Sequence, residues 1–254
     1  MMRYIVILNV FFTSIGYAQE SEFESLVELF AESKKVIPED VALKYFEFTS
    51  SERANELLTN GIIIKTDRYV LLSTRFDCNA EGVCEQSTLT SFTVDGKRID
   101  KIDFERAMAD CSFDDTRASV FISKDLLVFK ETREKLDCQG DGKQIGKKIW
   151  LEFQPIKEDG TFSKPYIDRK ASERENFIFS HRMFSITELD GKTEEELAII
   201  KNEIFASHGY MFKTKKWQDY FESKSWYIPT TGDAVNKLST IERKNIELIL
   251  SIKQ

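Results

Sequence analysis

The chain has 254 residues, of which 41% are hydrophobic and 31% are charged, and its formal net charge is −7. This composition is typical of a folded protein rather than a disordered one. An acidic chain with no basic stripe is unsuited to nucleic acid, because binding there depends on neutralising phosphates with Lys and Arg. For the same reason it lacks the polybasic surface that attracts proteins to anionic membranes.

The first 18 residues have the pattern of a cleaved export signal. Arg3 precedes an apolar run of about ten residues, and Gly16 and Ala18 stand at positions −3 and −1 of a small-residue cleavage site. That run is too short to cross a bilayer as a helix, which takes roughly 20 residues. The alternative is an ordinary buried N-terminal helix. We predict cleavage between Ala18 and Gln19, an exported protein (periplasmic or secreted), and no membrane span in the mature form.

The four cysteines predict two disulfides, because an even count in an exported protein is typical of a disulfide framework. Cys78 and Cys84 lie symmetrically about an Ala-Glu-Gly loop, and Cys111 and Cys138 lie symmetrically about Lys124–Asp125. Residues equidistant from a hairpin turn face each other at the separation that a disulfide needs. This symmetry favours the pairs Cys78–Cys84 and Cys111–Cys138 over the two other pairings.

The sequence predicts no metal site and no cofactor. Zinc would need two CxxC-like pairs or nearby histidines, whereas both histidines, His181 and His208, lie far downstream of the cysteines. Residues 137–148 begin like a calcium loop but have Lys148 where a bidentate Glu belongs. Serine nucleophile elbows, HExxH motifs, P-loops and GxGxxG motifs are all absent from the sequence.

Three zones of the mature chain together predict an α+β fold. Residues 19–60 have the apolar spacing of short helices, a helical preface to the strands. Residues 61–175 consist of strand-like apolar runs between turn signals, namely Asp95-Gly96, Asp141-Gly142 and Asp159-Gly160. Short connections between successive strands predict an antiparallel β-meander. Whether this meander is a barrel, a sandwich or propeller-like stays open.

The last zone, residues 177–254, is predicted to be a small three-helix domain. A capping box at Thr193–Glu196 starts its first helix, and Gly209 supplies the residue that follows the helix end. A second capping box at Ser239–Glu242 starts the last helix. The aromatic residues between these helices predict a core built mostly from rings.

This zone contains the segment Asn202-Glu203-Ile204-Phe205-Ala206-Ser207-His208-Gly209-Tyr210, followed by Tyr220-Phe221-Glu222 and Trp226-Tyr227. Over about residues 180–252 it resembles the YARHG domain of bacterial exported proteins. The segment that names the family corresponds to Phe205–Gly209, with Phe205 in place of Tyr and Ser207 in place of Arg. A ligand contact made by the family's arginine would be lost here. The resemblance implies an exported bacterial protein with a role at the cell envelope.

The candidate binding residues are Asn202, Glu203, His208, Tyr210, Trp217, Tyr220, Trp226 and Tyr227. Structural roles compete with binding at each position. Asn202 and Glu203 would fix their helix against the Trp226–Tyr227 segment by buried hydrogen bonds. His208 would be a core histidine bonded to a neighbouring backbone group. The rings would form the core or, where exposed, a stacking platform for a sugar or a peptide. His181 has no acidic partner at a recognisable spacing.

These observations predict a non-enzymatic exported protein, a binding or scaffolding module at the cell envelope. Its expected partner is an envelope protein or a wall-derived glycan or peptide, and not nucleic acid. The alternative is an envelope hydrolase in which acidic residues of the β domain act as general acid and general base.

Overall fold

The computed structural model describes residues 22–49, 56–77, 83–139 and 142–252. The chain divides between Ile167 and Asp168 into two compact units. The predicted export signal, its cleavage site and Cys78 lie outside the described residues. Within the part of the chain that is described, no helix has the length and apolar character needed to cross a membrane.

The first unit is built on a single antiparallel sheet. Its strands are β1 (Leu58–Lys65), β2 (Tyr69–Asp77), β3 (Val83–Thr93), β4 (Arg98–Ala109), β5 (Phe113–Ile122), β6 (Leu126–Leu136), β7 (Gln144–Pro155) and β8 (Tyr166–Asp168). The strand order in the sheet equals the order along the chain, which confirms the predicted meander and the α+β class. Among the described residues β1 and β8 do not pair with each other, so the meander does not close into a hydrogen-bonded barrel.

Two of the predicted turns require glycine. Gly96, between β3 and β4, has φ +87°, and a Cβ there would lie 2.6 Å from the Phe23 ring. Gly160 has φ +86°, and a Cβ there would lie 2.9 Å from the Tyr69 ring. Positive φ and close packing therefore both select glycine at these turns. The third predicted turn includes Asp141, which lies outside the described residues.

Both faces of the sheet bury apolar side chains. Helices α1 (22–29) and α2 (Glu39–Phe46) cover one face, which is why the predicted helical preface belongs to the same unit as the strands. The core on this face contains Phe23, Leu26, Phe30, Phe46, Val70, Leu72 and Phe92. The core on the other face contains Tyr69, Leu71, Leu89, Phe104, Leu127 and Phe129. Successive residues of β2 thus point to opposite cores, as the period of two requires.

One predicted disulfide lies within the described residues and is confirmed. Cys111 and Cys138 are bonded, with their Cα atoms 5.0 Å apart. The bond joins the β4–β5 connection to the residues that come after β6. The pair Cys78–Cys84 stays a prediction, because Cys78 lies outside the described residues.

The second unit is helical. Its helices are α3 (Glu194–Ser207), α4 (Lys215–Glu222) and α5 (Thr240–Ile252), with single 3₁₀ turns at Ala171–Glu173, Phe177–Ser180, Ile186–Glu188 and Val235–Lys237. Both predicted capping boxes are present, at Thr193–Glu196 and Ser239–Glu242. Gly209, with φ +77°, comes after the C-terminus of α3 as predicted.

Two apolar clusters stabilise the second unit. The first joins α3 to α5 and contains Phe179, Leu189, Leu197, Ile200, Ile204 and Ile249. The second contains Ala206, Phe212 and Phe221, with aromatic rings around them. The buried side chain of Asn245 holds the 179–184 segment on α5, because its Nδ2 donates to the carbonyls of Phe179 (2.8 Å) and Arg182 (2.7 Å). This segment carries His181.

Candidate functional site

The aromatic residues of the second unit form a packed cluster around Phe221, which is fully buried. Trp217, Tyr220 and Trp226 contact Phe221 with ring centroids 4.9 to 6.2 Å apart. The hydroxyl of Tyr227 donates to the carbonyl of Tyr210 at 2.7 Å. The rings around Phe221, those of Trp217, Tyr220, Trp226 and Tyr227, are half-buried. Most of their surface therefore packs in the core rather than forming an open platform.

A cleft of about 690 Å³ lies beside this cluster, entirely within the second unit. Its walls come from residues 168–181, from the end of α3, from residues 225–230 and from the start of α5. The residues with polar or aromatic groups are Asp168, Lys170, Glu173, Arg174, Ser180, His181, Ser207, His208, Ser225, Trp226, Thr230, Lys237, Ser239 and Glu242. The volume falls within the range of roughly 300–1,000 Å³ that is typical of small-molecule sites.

His208 and Glu242 form a paired imidazole and carboxylate on one wall of the cleft. Nε2 of His208 lies 3.0 and 2.9 Å from the two carboxylate oxygens of Glu242. The side chain of Glu242 is 5% exposed and that of His208 is 25% exposed, so the imidazole is the accessible partner. The expectation of a backbone partner for His208 was wrong. The capping box that starts α5 places Glu242 beside the end of α3. The His208 ring therefore contacts the carboxylate of Glu242 rather than a backbone group.

The carboxyl of Glu242 is held ionised. Burial alone would raise its pKa, but hydrogen bonds from the His208 ring, the Ser239 amide and the Ser180 hydroxyl outweigh burial and hold the pKa at about 2. The carboxylate is therefore a fixed negative charge at physiological pH, and it orients the imidazole as carboxylates commonly do.

His181 and Asp168 form a second such pair in the same cleft. Nε2 of His181 lies 3.4 Å from Oδ2 of Asp168, whose other oxygen accepts the amides of Lys170 (2.9 Å) and Ala171 (3.1 Å). The neighbouring His181 ring and these amides lower the pKa of Asp168 to about 2 despite its partial burial. The sequence shows no acidic partner at a recognisable spacing from His181, because it is two 3₁₀ turns that fold the chain back between Asp168 and His181.

A buried guanidinium lies between the two pairs. Arg174 is 8% exposed, and its Nη2 donates to Ser180 Oγ at 3.0 Å. Its Nε lies 3.4 Å from Glu203 Oε1 and makes no hydrogen bond among the described residues. Burial lowers the pKa of Arg174, and Glu203, Asp168 and Glu242 oppose that effect electrostatically.

Glu203 has a structural role, but with a different partner from the one predicted. Its carboxylate accepts the backbone amide of Asn176 (2.8 Å) and the Asn176 side-chain amide (2.9 Å), and it lies beside Arg174. It therefore ties α3 to residues 174–176 rather than to Trp226–Tyr227. No local pattern indicates this contact, because these partners are 27 residues or more from Glu203 along the chain.

Two of the eight predicted binding residues, His208 and Trp226, line the cleft, and Glu203 lies beside it. The others lie on α3 or in the ring cluster, namely Asn202, Tyr210, Trp217, Tyr220 and Tyr227. Sequence reasoning missed Asp168, Arg174 and His181 entirely. It identified Glu242 only as a helix cap, although the same capping box locates its carboxylate at the site.

Three acidic residues of the first unit, Asp115, Glu131 and Glu152, are engaged in a separate ion-pair network on the sheet. Glu131 accepts from Arg117 and from Arg106 (2.9 Å), and Glu152 accepts from Arg117 at 2.8 Å. The Arg117 guanidinium also lies 3.8 Å from the centroid of the Phe129 ring. These carboxylates are bonded to guanidinium groups of the sheet, whereas a general acid or base must be within hydrogen-bond reach of a substrate. This geometry does not favour the hydrolase alternative.

Comparison with known proteins gives one match. Residues 177–254 match the family model of the YARHG domain. Neither the search of curated proteins nor the search of solved structures found a significant match. The matched segment starts inside the second unit, so Asp168, Lys170 and Arg174 of the cleft lie upstream of it.

Proposed function

We propose that the YARHG domain at residues 177–254, together with the residues just upstream of it, is the binding module of an exported protein of the bacterial cell envelope. Its ligand is a small polar molecule derived from the wall, a glycan or a peptide. The observation that carries this proposal is the cleft, where both histidines of the chain lie beside carboxylates and next to Trp226.

The cleft has the features of a preorganised binding site. Its polar groups are held by contacts with one another, such as His208 with Glu242 and Arg174 with Ser180, so little ordering remains for a ligand to impose. The half-buried ring of Trp226 offers an apolar face against which a sugar ring or a peptide side chain packs. A few converging polar groups beside an apolar wall are typical of small-molecule sites.

Export is supported by the chemistry of the first unit. Disulfides persist in oxidising compartments outside the cytoplasm, and Cys111–Cys138 is such a bond. The predicted signal at residues 1–18 agrees with that compartment, with cleavage before Gln19.

The proposal is tested by titrating the full mature chain with soluble fragments of bacterial wall, glycan and peptide, and following binding by calorimetry. Trp226→Phe should weaken binding several-fold, since an aromatic contact contributes roughly 0.5–1.5 kcal/mol beyond its buried area. Trp217→Phe is the matched control, because Trp217 packs on Phe221 and is not part of the cleft.

Equal binding by the two tryptophan variants, or no binding of any fragment, would contradict the proposal. Mass analysis of the fragments after the titration separates binding from turnover. Cleaved fragments would move the assignment from a binding module to an enzyme.

A further inference from the structure

The carboxylates that line the cleft are already engaged. Asp168 accepts from the amides of Lys170 and Ala171 and lies beside His181. Glu242 lies beside His208 and accepts the amide of Ser239 at 2.8 Å. At the rim, Glu173 accepts from the Ser225 hydroxyl at 3.1 Å. The negative charges of the site are therefore committed to donors of the protein itself.

The two lysines of the cleft are not engaged in this way. Among the described residues, neither Lys170 nor Lys237 has a carboxylate within 4 Å, and both are exposed at the rim. The Nζ of Lys237 lies 3.4 Å from the carbonyl of His208, a long contact to a neutral acceptor. Arg174 adds a buried guanidinium whose Nε has no hydrogen bond within the described part of the chain.

Three other lysines of the same unit are ion-paired. Lys215 pairs with Asp219 at 2.5 Å, Lys216 with Glu195 at 2.7 Å and Lys224 with Glu175 at 2.6 Å. The two lysines of the cleft, in contrast, have ammonium groups that no carboxylate of the described residues neutralises. A strongly hydrated ammonium beside a preformed cleft is suited to an anionic partner.

We infer that the ligand of this cleft carries an anionic group, a carboxylate or a phosphate, which Lys170 and Lys237 bind at the rim beside Arg174. This inference rests on the proposed function and specifies the chemical class of its ligand. The ring of Trp226 then packs on the part of the ligand that carries no charge.

The position of Ser207 agrees with this assignment. In the motif that names the family an arginine stands where this chain has Ser207, and Ser207 lies on the cleft wall. Its hydroxyl donates to the carbonyl of Ile204 at 2.7 Å and brings no charge to the site. The positive charge comes instead from Lys237 and from two residues upstream of the matched segment, Lys170 and Arg174.

The test compares pairs of probes that differ in charge alone. The first pair is an acetylated alanine dipeptide with a free C-terminal carboxylate and the same dipeptide as its C-terminal amide. The second pair is glucose 6-phosphate and glucose. Binding to the full mature chain is measured by calorimetry, and the site is identified from chemical-shift changes of the cleft residues.

We expect at least one anionic probe to bind roughly tenfold more tightly than its neutral partner, the scale of one charge-assisted hydrogen bond. The preference should shrink as salt is added. The variants Lys170→Gln and Lys237→Gln should each reduce it several-fold. Lys216→Gln is the matched control, because this exposed lysine pairs with Glu195 outside the cleft, and it should keep the full preference.

The outcomes are distinguishable. A preference in the dipeptide pair identifies a peptide carboxylate, and a preference in the sugar pair identifies a phosphate; either supports the inference. Equal binding of charged and neutral probes in the cleft overturns the inference and leaves the proposed function standing. If Lys216→Gln reduces the preference for the anionic probe as much as Lys237→Gln does, the inference is also overturned. If no probe changes the chemical shifts of the cleft residues, both the inference and the proposed function are overturned.

Discussion

Both units bury arginine and glutamate, but they use these charges differently. On the sheet, Arg117 is shared between Glu131 and Glu152 and covers the Phe129 ring, so each charge in the network meets an opposite charge. In the helical unit, Glu203 is bonded to Asn176 and lies 3.4 Å from the Nε of Arg174, whereas the rim lysines have no acidic partner among the described residues.

This difference separates a structural network from a site. A cluster of buried charges that satisfy one another stabilises a fold and has little left to offer a ligand. A cleft whose carboxylates are engaged and whose rim lysines are not retains binding capacity of one sign. Counting charged residues would rank the two regions equally, whereas following each hydrogen bond to its partner distinguishes them.

Substitution of Arg117 removes the centre of the network on the sheet. Arg117→Met should destabilise the first unit by roughly 3–5 kcal/mol, because it leaves Glu131, which is 3% exposed, without its main counter-charge. Arg133→Met is the control: Arg133 is 57% exposed, and its pair with Asp115 should contribute at most about 1 kcal/mol. Hydrogen exchange of the sheet amides measures both changes. Equal effects would show that the network is not the stabilising element.

The aromatic cluster offers a similar contrast within the second unit. Phe221→Ala should cost roughly 3–5 kcal/mol, since Phe221 is fully buried and its removal leaves a cavity. Trp226→Ala should cost less, about 1–2 kcal/mol, because Trp226 is half-buried at the cleft wall. Exchange of the helical amides gives the ranking. A larger loss of stability for Trp226→Ala than for Phe221→Ala would indicate that Trp226 is a core residue and would weaken its assignment to the site.

The two units should also differ in their response to reduction. All four cysteines precede residue 139, so the disulfides belong to the first unit. Reduction should lower its stability by roughly 2–4 kcal/mol and leave exchange in the helical unit unchanged.

Intact-mass analysis of the native protein should give the mass of a chain that begins at Gln19. That mass should be four hydrogens lower than the mass of the fully reduced chain, because two disulfides form. Four free thiols in that preparation would contradict both the pairing and the proposed export.

The stability of the helical unit should also depend on pH. The pKa of Glu242 is about 2 in the fold against an ordinary 4.5, so its contribution is present above pH 4.5 and lost as the pH falls toward 2. The loss should reach about 3 kcal/mol, because each unit of pKa difference corresponds to about 1.4 kcal/mol. Glu242→Gln should remove this part of the dependence, whereas Glu195→Gln, at an exposed surface pair, should not. Unchanged acid sensitivity in Glu242→Gln would show that another group is responsible.

Much of the fold is predictable because its signals are local. The capping boxes at Thr193–Glu196 and Ser239–Glu242 each require residues three apart, and the strand pattern of β2 repeats every two residues. Glycine at Gly96 marks a turn through its own backbone preference. Short connections between the strands then predict the meander.

The cleft is not predictable in this way, because its pairs form between distant segments. His208 meets Glu242 34 residues further along the chain, and Asn176 meets Glu203 across 27 residues. No spacing rule covers such separations. The family resemblance located one wall of the cleft through His208 and Trp226 but stopped short of Asp168 and Arg174, which lie upstream of it.

The proposed function depends on the cleft of the helical unit, and not the charged face of the sheet, being the functional site. Chemical-shift mapping of the labelled full mature chain with soluble wall fragments distinguishes the two regions. We predict changes at His181, His208 and Trp226 that saturate together, with the sheet residues Trp150 and Glu152 unaffected. Saturating changes around Trp150 and Glu152 with an unperturbed cleft would contradict the proposal.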